Sequence, residues 1–582
     1  MNAPRHALDL LADDLREASF VGGTESTDDY QALLVRARRL LDIKVRFEEH
    51  RPTDAPPLVV IAGGTNVGKS TIFNWVVGDT ISSASPLARH TKAPTVFVHR
   101  TRVDTLGDSA LLPMYRRVAF VDPKDATQET LDGVTAYFLK THERAEVQDV
   151  VLVDSPDIDS TNSKNREIAE DLLFLADAVV FVATPEKYND DICVRYLKQA
   201  GELERALVCL LNKGADAEVA RDFKEGVVPQ VGGDVRVLTL PYVNRPDPAN
   251  AGPFLAELRR LVTRPREDVA SMRRAAHHGA AAVLGDDLAR VAARLREELS
   301  ELDHIRSELS LVLDARRDEY VRFLDSLEFY ELDRVFERVL TYFKLPVIDP
   351  VFDAFRGAIG FVSSGVASIV TGKTERDSRK AKLDARNEAD RQKVKELTGA
   401  AAAEATELPH RHTGTLRSSV QGWLDHMRAP SVEEQNAAVT AFQTQAEAQA
   451  ERWIERETQR HVELLESHPY ARNALRAVKG VFQVGFGLLS AKLTGGFGPW
   501  DVLIGTATER ATKALIERAG GVVHYQSLKT EMARERGKLF RELLERTVAT
   551  PLLERLPAGV DPARLDRIDA AAAVLRRGEL PR

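Results

Sequence analysis

Two glycines, a lysine and a hydroxyl residue stand at fixed offsets in the stretch IAGGTNVGKSTIFNWVVG, residues 61–78. Glycines let a backbone curl until successive N–H groups point inward at an anion, so the chemistry this pattern suits is the holding of phosphate. Gly63, Gly64, Thr65, Asn66, Val67 and Gly68 supply the loop, Lys69 is placed to reach β- and γ-phosphates, and Ser70, followed by Thr71, offers a hydroxyl to Mg²⁺. Two elements must position these groups. PLVVIAG before the loop reads as a buried strand, and STIFNWVVG after it spaces Ile72, Phe73, Val76 and Val77 as a helix. A strand, Gly63-x4-Gly68-Lys69-Ser70 and a helix make the P-loop arrangement, with the helix adding its positive end.

Three further strings lie in order along the chain. DVVLVDSP carries Asp154 at the end of an apolar run, where an acid belongs beside the water shell of Mg²⁺. ALVCLLNKGAD is another apolar run ending in Asn212 and Lys213, with Asp216 just beyond. Between the P-loop and Asp154, ARHTKAPTVFVHR contains Thr91, the candidate switch threonine that closes on Mg²⁺ and the γ-phosphate.

On these motifs the chain resembles P-loop GTPases of the Era-like and dynamin-like class. GGTNVGKSTIFNWVVG is similar to the Era-like P-loop, and HTKAPTV to the dynamin-like first switch. The resemblance runs from about Pro57 to Val243, and in overall plan it is to bacterial dynamin-like proteins. It implies GTP as substrate, GDP as product and Mg²⁺ as cofactor, with Ser70, Thr91 and Asp154 at the metal and Lys69, Thr91 and Asn66 in catalysis. It also implies that Asn212, Lys213 and Asp216 read guanine. Asn66 is the position that in Era-like relatives helps to hold K⁺, the alternative being a residue that caps the loop. Arg89 and His90, beside Thr91, are alternative charge donors or simply part of a solvated loop.

The chain departs from the pattern in three places. The third motif ends in Asp157 where glycine is usual, and that side chain stands where it can repel phosphate. The fourth motif, NKGAD, is one residue longer than usual, and Gly214 is expected to absorb the extra residue as a bulge. Ile158 occupies the position of the water-orienting glutamine, so water must be oriented by other means. PYVN lies where a fifth motif is expected.

The chain has 582 residues, too many for one core, and a net charge of −8, which argues against a nucleic-acid protein. Its two cysteines, Cys193 and Cys209, fit a reducing cytoplasm. Neither a secretory signal nor an uninterrupted membrane span is read in the sequence. Residues 1–55 are expected to be a helical segment packing with a stalk. Residues 56–265 are expected to form the α/β GTPase domain, a doubly wound, mostly parallel sheet with the nucleotide at the strands' C-terminal ends. Residues 266–582 are expected to be an all-α bundle or stalk, with Leu288, Val291, Leu295, Leu302, Ile305, Leu309 and Val312 on a heptad-like stripe interrupted by Glu298.

Two apolar, glycine-rich stretches, 357–372 and 480–507, break the charged helical pattern and are candidates for a membrane tip, the alternative being a buried hairpin. The run 373–395, basic in balance, suits a solvated helix face or anionic lipid. Two functions therefore remain open. One is a dynamin-like GTPase, self-associating through its G domains and binding lipid peripherally on the inner face of the cell membrane. The other is a soluble regulatory switch whose helical domain docks a protein partner.

Overall fold

The computed structural model describes residues 3–20, 25–79, 81, 93–103, 115–120, 130–131, 134–214, 217–233, 235–240, 266–327, 330–343, 374–411, 432–467, 525–554 and 560–580. It divides into two compact units, Met1–Leu299 with Ala558–Arg582, and Ser300–Pro557. The N-terminal helices, the first half of the long helix after the sheet and the last helix share one hydrophobic core with the sheet, through residues such as Leu15, Leu34, Val60, Leu284 and Ile568.

The first unit opens with α1 (Ala3–Glu17), α2 (Glu25–Leu40), a π-turn at Leu41–Val45 and α3 (Arg46–His50). Nine strands follow among the described residues: β1 (Leu58–Gly63), β2 (Thr95–His99), β3 (Arg116–Ala119), β4 (Thr130–Leu131), β5 (Val134–His142), β6 (Val151–Asp154), β7 (Ala178–Ala183), β8 (Ala206–Leu211) and β9 (Val235–Thr239). The sheet order is β3-β5-β2-β6-β1-β7-β8-β9, with β4 paired to β5. β6, β1, β7, β8 and β9 run parallel; β2 turns antiparallel against β6 and carries β5 and β3 parallel to itself. Helices α4 (Lys69–Val77), α5 (Ser163–Leu175) and α6 (Asp191–Glu202) connect the central strands.

Every residue of β1, β6 and β7 is buried, as expected of parallel strands covered on both faces. One core cluster, built around Leu172, Phe174 and Phe181, fills one face. A second, built around Ile72, Phe73 and Leu152, fills the other. Polar side chains fix where the helices start: Asn162 accepts from the Lys164 amide at 2.9 Å ahead of α5, and Asp190 from the Ile192 amide at 2.9 Å ahead of α6.

Among the described residues no strand follows Thr239. Helix α7 (Arg266–Ser326) is continuous for 61 residues and runs from the first unit into the second. The whole heptad-like stripe from Leu288 to Val312 is buried. Glu298, which breaks the stripe, is buried too and lies 3.5 Å from Arg294 one turn earlier. The second unit adds α8 (Tyr330–Tyr342), α9 (Thr374–Arg411), α10 (Val432–Ser467) and α11 (Tyr525–Leu544), and α9, α10 and α11 share a core with Tyr320, Phe442 and Phe540 at its centre. The final helix, α12 (Pro562–Leu575), returns to the first unit, where Arg567 grips Asp14 of α1 with two hydrogen bonds. No helix among the described residues is long and apolar enough to cross a membrane. The stretches 357–372 and 480–507 lie outside the described residues.

Candidate active site

β1 ends at Gly63, directly beside the Val182 carbonyl of β7. A Cβ on Gly63, which has φ +149°, would sit 2.2 Å from that backbone oxygen. The loop turns through Asn66 in the left-handed region at φ +62° and Gly68 at φ +99°, then enters α4 at Lys69. These turns carry the backbone around a cradle at the N-terminus of a nine-residue helix, the geometry that favours an anion.

Side chains from two other strand ends, those of β6 and β8, converge on this loop. Lys69 is almost wholly buried. Its Nζ donates to the Gly64 carbonyl at 2.9 Å and to the Asp157 carboxylate. Ser70 Oγ donates to Asp154 Oδ2 at 3.1 Å, with Asp154 fully buried at the end of β6. From the end of β8, Asn212 Nδ2 donates to the Val67 carbonyl at 2.8 Å and Lys213 Nζ to the Asn66 carbonyl at 2.5 Å. The fourth motif is thus stitched to the first by side chain–backbone bonds. Gly214 takes up the lengthened motif at φ +82°, its N–H reaching the Leu240 carbonyl at 3.2 Å.

The segment after Asp154 lies along the P-loop. Ser155 N–H bonds the Ile61 carbonyl at 3.2 Å and Ile158 N–H the Gly63 carbonyl at 3.3 Å. Ile158 itself is 4 % exposed and belongs to the core, which takes its side chain out of any role in orienting water. The next residue faces the loop instead. Asp159 Oδ1 accepts from the Thr65 amide at 2.6 Å and from the Thr65 hydroxyl at 2.7 Å, and Oδ2 accepts from Lys187 Nζ at 2.6 Å. Burial pushes the Asp159 carboxyl up, but the Lys187 and Thr65 hydrogen bonds outweigh it and hold the group below the ordinary aspartate value. Asp159 and Lys187 escaped the sequence reading. The available signal was the acid at 159, one residue beyond the position the motif leads one to inspect.

Ser70 and Asp154 are hard oxygen donors beside a phosphate cradle, which fits Mg²⁺, an ion that takes few protein ligands and completes its shell with water and phosphate oxygens. Among the described residues no group of three or more His, Cys, Asp or Glu side chains is arranged to hold a metal. Asn66 is exposed at the turn of the loop. Thr71 is the third residue of α4. Thr91, with Arg89 and His90, Asp216 of the fourth motif and PYVN lie outside the described residues. Both cysteines are buried. Burial pushes the Cys193 thiol up to about 12 and Cys209 up as well, the opposite of the shift that activates a thiol.

Residues 58–213 match the family model described as "50S ribosome-binding GTPase". No curated protein matches the chain. Two solved chains, both described by the words "An oligomerised bacterial dynamin pair provides a mechanism for the long-range sensing and tethering of membranes", are similar at TM-score 0.42. They are 10% and 12% identical to this chain; the alignments cover 98% of it and 95% and 93% of theirs. The matched segment is a P-loop GTPase domain on a mostly parallel sheet, joined to a large helical region.

Proposed function

We propose that this chain binds and hydrolyses GTP with Mg²⁺ and uses the cycle to drive a dynamin-like helical region that engages membrane. One observation carries the nucleotide part: the ends of β1, β6 and β8 meet at a single cradle, with Asn212 and Lys213 bonded to P-loop carbonyls and Ser70 bonded to Asp154. Lys69 and the loop amides bind and orient the phosphates, while Asn212 and Lys213 fix the loop's curvature. Mg²⁺, held through Ser70 and Asp154 with Thr91, supplies positive charge to the phosphate oxygens. Asp216 reads the guanine edge, and Asn66 is placed for a K⁺ ion.

The dynamin-like part is supported by the plan of the chain. Helices from both termini and the start of α7 share a core with the GTPase sheet, and α7 then continues into the helical unit. Residues 357–372 and 480–507, apolar and rich in glycine, are the proposed lipid-contacting tip of a peripheral membrane protein, and pairing of G domains is the proposed mode of self-association.

Calorimetry with GTP and with ATP in Mg²⁺ tests the site: GTP binding that is weakened but still measurable in Lys69→Ala supports it, and equal binding of ATP overturns the assignment of guanine. Turnover in K⁺ exceeding that in Na⁺ supports the role of Asn66. Co-sedimentation with anionic liposomes tests the membrane part. Binding that disappears when 357–372 is replaced by a charged linker supports it, whereas lipid-independent behaviour of both proteins favours a soluble switch that docks a protein.

A further inference from the structure

Asp157 stands where a glycine would supply no side chain, and its carboxylate is bonded to the ammonium of Lys69. Both side chains are largely withdrawn from solvent, with 5% and 12% of their area exposed. An ammonium has three protons to donate, and two are directed at the Gly64 carbonyl and the Asp157 carboxylate. Carboxylate and phosphate are both oxyanions that compete for such a donor.

The backbone carrying Asp157 is held on both sides. Ser155 and Ile158 bond β1 carbonyls, Ile158 is sunk in the core, and Asp159 is clamped to Thr65. The segment therefore presents its carboxylate to Lys69 from a fixed base.

Building on the proposed GTP site, we propose that Asp157 is an internal phosphate mimic: its carboxylate occupies the Lys69 ammonium and must rotate away for nucleotide phosphate to take its place, so that this one residue sets nucleotide affinity. The contact holds the P-loop lysine in position between binding events and makes each binding event break a buried ion pair. It favours nucleotides with more phosphate charge to offer over those with less. GDP, with one phosphate fewer near Lys69, displaces the carboxylate less effectively than GTP.

Equilibrium titration of fluorescent GDP and GTP into the full-length protein in Mg²⁺, comparing wild type, Asp157→Asn, Lys69→Ala and the double variant, tests this. Asp157→Asn keeps the shape and removes the charge; it is expected to tighten GDP by about tenfold or more, and GTP by less. In the Lys69→Ala background the same change is expected to move affinity by less than about twofold, because there is no pair to break. Asp157→Gly is the second variant, expected to act in the same direction should the asparagine impair folding. Wild-type binding with no tightening in a folded Asp157 variant overturns the inference. So does an equal gain with and without Lys69, which would mean diffuse repulsion. No guanine-nucleotide binding by wild type or any variant overturns the GTP-site reading itself.

Discussion

Lys44 and Asp177, 133 residues apart in sequence, meet in the interior with Nζ 2.7 Å from Oδ1 and neither side chain exposed to any degree. Asp177 Oδ2 also accepts from Arg51 at 2.7 Å and from the Leu58 amide at 2.8 Å, at the first residue of β1. Glu48 joins Lys44, Arg51 and Arg273, and Arg273 bonds the carbonyls of Pro52 and Thr53. One buried polar hub thus ties the N-terminal helices, the entrance to the P-loop strand and the start of α7.

Breaking this hub at its acid takes the nearest carboxylate from two buried cations, leaving them only the more distant Glu48, and removes the acceptor of the Leu58 amide. Asp177→Ala is expected to cost about 3–5 kcal/mol, lowering the first calorimetric unfolding transition by roughly 10 °C. An unchanged transition would remove the hub from any account of how the N-terminal helices are held.

Acid should loosen the same region, and the signs follow from the shifts. Burial pushes Asp177 up, but Arg51 and Lys44 overcome this and hold its carboxyl far below the usual range. Its contribution is present above the unfolded aspartate value of about 4 and is lost as pH falls below it. Burial lowers His277 to about 4, so the unfolded chain binds that proton more tightly. Stability from His277 is full above about pH 6.5 and declines as pH falls toward 4. His142, also lowered to about 4 by burial and by His99 and Arg144, adds to the decline over the same window. Thermal midpoints recorded from pH 7.5 to 4.5 are expected to fall less steeply in His277→Gln, and less again when His142→Gln is added.

The contact between Asp159 and Thr65 orders the loop proposed to face the γ-phosphate. Asp159→Ala releases the Thr65 amide and Lys187 together. GTP turnover is expected to drop by about tenfold or more, as befits loss of a charge-assisted hydrogen bond. Steady-state rates at saturating GTP check this, and wild-type turnover in the variant would exclude Asp159 from the site.

Two glycines should respond differently to alanine. Gly63→Ala meets the Val182 carbonyl at 2.2 Å from a left-handed backbone, and is expected to lose at least roughly 1–3 kcal/mol. Gly226 lies in the π-turn Phe223–Val227 with nothing within 4 Å of its added Cβ, and Gly226→Ala is expected to be neutral or to gain about 0.4–1 kcal/mol. Denaturant midpoints of the two variants make the comparison.

The loop proposed to hold phosphate was legible because its residues are local. Gly63, Gly68, Lys69 and Ser70 sit within eight residues, and their spacing alone dictates the loop. Asp154, Asn212 and Lys213 were legible because each closes an apolar run, and strand ends are where a parallel sheet gathers its ligands. The helical character after residue 266 was equally plain from periodicity. What escaped depends on distant pairing. Nothing near Lys44 in sequence announces Asp177, and an isolated lysine on an amphipathic helix reads as a solvated one. Nor does the sequence separate the outcomes for Asp157: repulsion of phosphate and a bond to Lys69 are both compatible with an acid at that position, and only the fold brings the two groups together. The reversal of β2, β5 and β3 relative to the central strands was likewise invisible, because strand direction is set by connections rather than by residue pattern.

The two interior thiols have a practical corollary. With Cys193 and Cys209 buried and their thiols pushed up by that burial, the native chain is expected to resist maleimide reagents. A single cysteine introduced on an exposed helix face is expected to take a fluorophore or spin label selectively, so ruler-type spectroscopy on this chain needs no prior stripping of its native sulfur.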